Sequence, residues 1–139
     1  MYRSNYKTYE NYENSETQQE NSASEQPQAP KNHEQELLSL ENVVVLSNYN
    51  HKQNLLKSHP NILVYIYADW CGPCKHLKPT LVELMKNNTH VVLLMENMER
   101  QITKGVKGIP FFEYHNNNSL VLNKTGSHDF EKNFDKFFS

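Results

Sequence analysis

The chain's only two cysteines, Cys71 and Cys74, stand two residues apart in Trp70-Cys71-Gly72-Pro73-Cys74-Lys75. An apolar run, Asn61 to Tyr67, leads into this stretch, and a helix-compatible run, Lys75 to Lys86, leads out of it. Thiols at a strand-to-helix junction meet the free N–H groups and partial positive charge of a helix N-terminus. The thiolate is the reactive form of cysteine. Cys71 is therefore expected to ionise readily and act as nucleophile. Cys74, about one turn further in, is expected to be shielded and to act as the resolving thiol. The alternatives for such a pair are a structural disulfide or half of a metal site. A structural zinc site needs four ligands. His76 supplies only a local third, and His33, His51, His59, His90, His115 and His128 are scattered without ligand spacing. No metal is expected, and His76 reads as a surface helix residue.

The elements that must position the pair follow from patterning. Val43 to Leu46 is a short β-branched run and reads as a first strand. Ser47 or Asn48 can cap a following helix whose buried side is Leu55 and Leu56, and Pro60 ends it. Asn61 to Tyr67 is continuously apolar, as in a central strand covered on both faces. The next helix, from near Cys74, buries Leu77, Leu81, Leu84 and Met85 and contains Pro79, which should kink it. His90 to Met95 is a further buried strand, and Glu99 to Lys104 a brief helix or turn ending at Gly105. Pro110 to Tyr114 and Leu120 to Leu122 form a hairpin across an asparagine-rich connector. A final helix, capped by Ser127, carries Phe130, Phe134, Phe137 and Phe138 on one face.

Hydrophobic residues make up 37% of the 139, below the roughly 45–50% of globular chains. The deficit is local: residues 1–33 contain no Val, Ile, Leu or Phe. They read as a disordered tail, with Tyr2, Tyr6, Tyr9 and Tyr12 as a recurrent feature and Pro27 and Pro30 marking a linker. The division expected is a low-complexity tail and linker over 1–35 and one folded domain over 36–139. Of 14 basic and 16 acidic residues, the tail takes three and five, so the net charge of -2 lies there and the remainder balances. With no basic stripe and no apolar run of about 18 residues, neither nucleic acid nor a membrane is an expected partner. The start lacks the apolar core of a secretory signal. A reducing, cytoplasmic location is expected, where a Cys-x-x-Cys pair is more often catalytic than structural.

Trp70-Cys-Gly-Pro-Cys-Lys75 resembles the active site of the thioredoxin family, and the order of elements is that of the thioredoxin fold over roughly residues 43–138. Three further matches support the resemblance. Pro79 lies five residues after Cys74, where the family has its helix-kinking proline. Val106-Lys-Gly-Ile-Pro110 is similar to the loop that ends in the family's cis-proline. Gly126 matches the glycine beside the substrate groove. The resemblance implies an α/β domain with a central mixed β-sheet flanked by helices. It implies active-site support from Trp70, Gly72, Pro73 and Pro110, and a flat apolar docking face that includes Trp70, Ile109, Pro110 and Gly126.

Two departures stand out. The family's buried aspartate, six residues before the nucleophile, is Tyr65 here, and Asp69 is too near the surface to replace it. The partner lysine on the third strand is replaced by an apolar residue within Val91 to Met95. Losing both members of a buried ion pair can be neutral for stability. The expected effect is kinetic, slower release of reduced substrate unless Tyr65 or water moves the proton. Phe111, in place of a frequent threonine, is expected to narrow substrate choice.

The resemblance implies a cofactor-independent, monomeric protein-disulfide reductase cycling between a Cys71/Cys74 dithiol and the Cys71–Cys74 disulfide. Its substrates would be protein disulfides and its electron donor a thioredoxin reductase. An oxidant or isomerase on the same fold, and a binding module with incidental redox activity, are the competing readings. The asparagine-rich composition suits an AT-rich genome, such as a protist's or a large DNA virus's. In the viral case the virion is the alternative location.

Overall fold

In a computed structural model, residues 32–138 are described. Of the tail and linker expected over 1–35, the part up to Lys31, with its tyrosine series and prolines, lies outside these residues, while His33 to Gln35 are helical. The compact unit begins at His33. It runs α1 (His33–Leu38), β1 (Val43–Val45), α2 (Tyr49–Ser58), β2 (Asn61–Tyr67), α3 (Gly72–Asn87) and β3 (Val92–Asn97). A 3₁₀ turn (Met98–Arg100), β4 (Phe111–Asn116), β5 (Ser119–Thr125) and α4 (Phe130–Phe138) complete it.

The five strands form one mixed sheet in the order β1-β3-β2-β4-β5. The first three are mutually parallel, and β4 and β5 add antiparallel. Strand β2 lies at the centre, and Ile62 to Ile66 are all fully buried, which is why its sequence is apolar without alternation. One face of the sheet carries Leu63, Tyr65, Leu93, Met95, Phe112 and Tyr114 into a core shared with α1, α3 and α4. The other carries Ile62, Val64, Ile66 and Leu94 against Leu56 of α2 and Ile102. The disulfide-bearing helix lies on the first face.

Several boundaries differ from the sequence reading. Helix α3 starts at Gly72, two residues early, and buries Val82 where Leu84 was expected; Leu84 is only partly covered. Pro79 is inside the helix, where it cannot donate to the carbonyl of Lys75. Strand β3 starts at Val92 because the preceding chain is a turn: the Asn42 side chain donates to the carbonyls of Met85, Asn88 and Val91. Of the two cap candidates for α2, Asn48 accepts from the His51 amide at 2.9 Å. The hairpin connector is tighter than expected, with Asn117 and Asn118 both at positive φ, as a two-residue type I′ turn requires.

Helix α4 starts at Phe130, not beside Ser127. Gly126 and Asp129 both have positive φ (88° and 57°), so the chain makes an extra turn before it can enter a helix. Phe130, Phe134 and Phe138 are then buried, Phe130 against Phe112 with ring centroids 4.7 Å apart.

Candidate active site

Strand β2 ends at Tyr67, and the Cys71 amide donates to the Ala68 carbonyl at 3.1 Å, closing a turn that hands the chain to α3. Cys71 is the N-cap, with extended backbone, and its sulfur accepts from the Cys74 amide at 3.2 Å. Gly72 opens the helix, and Pro73 sits in its first turn, where a missing N–H costs nothing. Three residues of helix bring the cysteine Cα atoms to 5.3 Å, and the two sulfurs are bonded. That separation lies within the ordinary disulfide range.

Cys74 is shielded, at 1% exposure, but Cys71 is nearly as covered, at 3%. In the bonded state, exposure does not separate nucleophile from resolving thiol; their places on the helix do. Trp70, next to Cys71, stands 66% exposed. Asp69 and His76 are also exposed.

The Ile109–Pro110 bond is cis. Ile109 packs against the core cluster containing both cysteines and also against the opposite cluster, so it bridges the sheet's two sides. The Pro110 carbonyl accepts from the Gly126 amide at 2.7 Å, which brings these two sequence-predicted residues together. Gly126 needs its lack of a side chain for conformation, not space: φ is 88° and a Cβ would meet nothing within 4 Å. Phe111 packs partly buried against the core beneath α2, on the side away from the cysteines. The expectation that it narrows substrate choice is therefore corrected: strand alternation turns it to the opposite face.

Tyr65 is fully buried, stacked between Tyr67 and Phe112 at 5.3 and 5.6 Å, and pairs in register with Met95. Its hydroxyl donates to the Cys74 carbonyl at 3.3 Å. Burial, with smaller contributions from Tyr67 and Glu34, pushes its pKa far above the ordinary tyrosine value. It stays a phenol. It can orient the first turn of α3 but cannot accept a proton from Cys74.

Sequence reasoning missed a buried charged cluster on the other face of the sheet. Lys52 of α2, Glu96 of β3, and Glu113 and His115 of β4 are each under 9% exposed. Lys52 Nζ lies 2.9 Å from Glu113 Oε1 and 3.7 Å from Glu96 Oε1, and also donates to the Thr103 hydroxyl. His115 Nε2 donates to Glu113 Oε1 at 3.1 Å, and its buried Nδ1 has no hydrogen-bond partner among the described residues. Burial alone would raise the Glu113 pKa, but the His115 hydrogen bond and the Lys52 charge outweigh it and hold the carboxyl below its ordinary range. The available signal was Lys52 standing four residues before Leu56 on the apolar side of α2. Among the described residues, no three His, Cys, Asp or Glu side chains are placed to hold a metal ion.

The family model for thioredoxin matches residues 42–137. A thioredoxin of Buchnera aphidicola subsp. Baizongia pistaciae is 31% identical over 90 residues, covering 61% of this chain and 83% of its own. A thioredoxin of Pseudomonas aeruginosa is 28% identical over 92 residues, covering 63% and 85%. The crystal structure of oxidised mitochondrial thioredoxin 3 from Saccharomyces cerevisiae superposes with a TM-score of 0.66 at 25% identity, covering 73% of this chain and 98% of that one.

Proposed function

The chain belongs to the thioredoxin family of thiol–disulfide oxidoreductases, and from that premise we propose that it is a reductase of protein disulfides. The observation that carries the reading is the N-cap sulfur. In the oxidised state Cys71 Sγ already accepts the Cys74 amide at the start of α3. Once reduced, the same donor and the same helix end favour the thiolate.

The cycle balances without a cofactor or a metal. Cys71 thiolate attacks one sulfur of a substrate disulfide; the substrate bond breaks, a substrate thiolate leaves, and a mixed disulfide forms. Cys74 gives up its proton and its sulfur attacks Cys71 Sγ, expelling the second substrate thiolate and forming Cys71–Cys74. Two electrons pass to substrate. Because Tyr65 keeps its own proton, the Cys74 proton leaves to water or to a departing thiolate. Trp70, Gly72, Pro73, Ile109, Pro110 and Gly126 form the supporting and docking surface in this reading.

Net reduction is supported by the Gly72-Pro73 pair, which is that of reducing family members, and it requires an electron donor, by family resemblance a thioredoxin reductase. Both cysteines come from one chain, so a monomer suffices. A reducing compartment, the cytoplasm, suits the cycle. The test is trapping. Cys74→Ser is expected to accumulate a Cys71-linked mixed disulfide with a disulfide-bonded protein such as insulin, and Cys71→Ser to form none. Equal trapping by both variants would overturn the assignment of roles.

A further inference from the structure

The loop that delivers the docking segment is held from the face opposite the cysteines. After the 3₁₀ turn, residues 101–110 carry the chain from β3 towards β4 without regular structure and end in cis Ile109–Pro110. This loop contains Gly105 and Gly108, and Lys104, Gly105 and Lys107 are exposed. Such a stretch loses much backbone freedom when ordered. Its polar anchor is Thr103. The Thr103 amide donates to Glu96 Oε2 at 2.8 Å, and its hydroxyl donates to Glu96 Oε1 at 2.7 Å. Both oxygens of one buried carboxylate are thus spent on a single loop residue. Lys52 reaches the same hydroxyl and ties it to Glu113 of β4, the strand that continues from Pro110.

Apolar contacts, of the kind Ile102 and Val106 make, do not fix position along a chain as directional hydrogen bonds do. Ion clusters in a core are weak sources of net stability, and their best-attested role is to specify one arrangement among several. We propose that Glu96 and Lys52 are positioning residues for substrate docking: through Thr103 they set where Ile109 and Pro110 stand, although neither touches substrate. The role in docking rests on the reductase reading above; the anchoring of the loop does not.

Glu96→Leu isolates the effect. It removes both hydrogen bonds between Thr103 and Glu96 and leaves Lys52 paired with Glu113, one charge against one. Two measurements separate the inference from the reading beneath it. Native-state exchange of the Gly126 amide, which donates to the Pro110 carbonyl at 2.7 Å, is expected to accelerate by about tenfold or more, while Leu63 to Ile66 of β2 keep their protection. Turnover of insulin is expected to show KM raised by about tenfold, the scale of one lost hydrogen bond to a charged group. The kcat, and the rate with a small aromatic disulfide that needs no docking segment, should stay unchanged. Glu96→Gln, which keeps one carbonyl acceptor, should fall between the two, and it carries the same test should Glu96→Leu not fold. Unchanged exchange at the Gly126 amide overturns the anchoring. Faster exchange with an unchanged KM overturns its role in docking. A wild-type protein that does not reduce insulin sinks the reductase reading, and the exchange measurement still decides the anchoring.

Discussion

Replacing Lys52 with methionine should be among the most damaging single changes in the domain, and its cost should depend on pH in a specific way. Lys52 Nζ is the cation shared by Glu113, at 2.9 Å, and Glu96, at 3.7 Å. Methionine fills nearly the same volume, so packing changes little. What remains is two carboxylates, 1% and 8% exposed, with no ammonium between them. Removing one partner of a buried ion pair costs about 3–5 kcal/mol, against a total of roughly 5–15 kcal/mol for a domain. With a urea dependence of about 1–3 kcal/mol per molar, the midpoint should fall by roughly 1–5 M.

In the wild type the Glu113 pKa is depressed, so its contribution is present above the unfolded value and is lost as pH falls through the folded one. In Lys52→Met, only the His115 hydrogen bond still opposes burial at Glu113, so its carboxyl pKa rises relative to the wild type and protonation relieves the variant as pH falls. The gap between the two proteins should therefore narrow on acidification from pH 7 to about 4.5, near the unfolded glutamate value. The assay is urea unfolding followed by far-UV circular dichroism, with the disulfide kept oxidised at both pH values. The charge-free combination Lys52→Met, Glu96→Gln, Glu113→Gln should regain most of the loss. A single-variant cost below about 1 kcal/mol, typical of exposed pairs, or a gap that stays constant with pH, refutes the reasoning.

Three further outcomes are expected. Tyr65→Phe removes the hydroxyl on the Cys74 carbonyl and should cost about 0.5–1.5 kcal/mol in denaturant unfolding, without changing the pH profile of disulfide exchange, because the phenol stays protonated. Leu37→Ala, in α1 ahead of the family match, empties a fully buried core position and should cost about 2–5 kcal/mol; a loss within 0.5 kcal/mol, the order seen at surfaces, would mean that α1 is dispensable. Glu113→Gln should flatten the fall of stability below the ordinary glutamate pKa, since it removes a carboxyl whose depressed value links folding to acid; an unchanged acid limb in a pH titration of unfolding would contradict that.

Much of the site was legible because it is written in residue types whose backbone or bonding behaviour is local. A Cys-x-x-Cys between an apolar strand and a helix, a proline inside that helix, and the loop ending at Pro110 each announce geometry without a partner. The limits came where a residue's setting depends on chain far away. Ser127 has a cap's chemistry, yet the positive φ of Gly126 and Asp129 moves the helix start to Phe130. Phe111 sits beside Pro110 in sequence, but alternation along β4 sends it to the other core. Lys52 and Glu113 are 61 residues apart. Each reads alone as a surface charge, and only the packing of α2 over β3 and β4 makes them a cluster.

The central claim is that Cys71 and Cys74 form a working dithiol–disulfide couple poised for reduction. Its most direct test is the equilibrium reduction potential of the 139-residue chain against a defined thiol buffer, with Trp70 fluorescence or thiol alkylation as the readout. The account predicts a reversible two-electron couple near the thioredoxin value of about -270 mV. A potential above about -200 mV would turn the protein towards oxidation or isomerisation, and the absence of any reversible couple would contradict the enzymatic reading altogether.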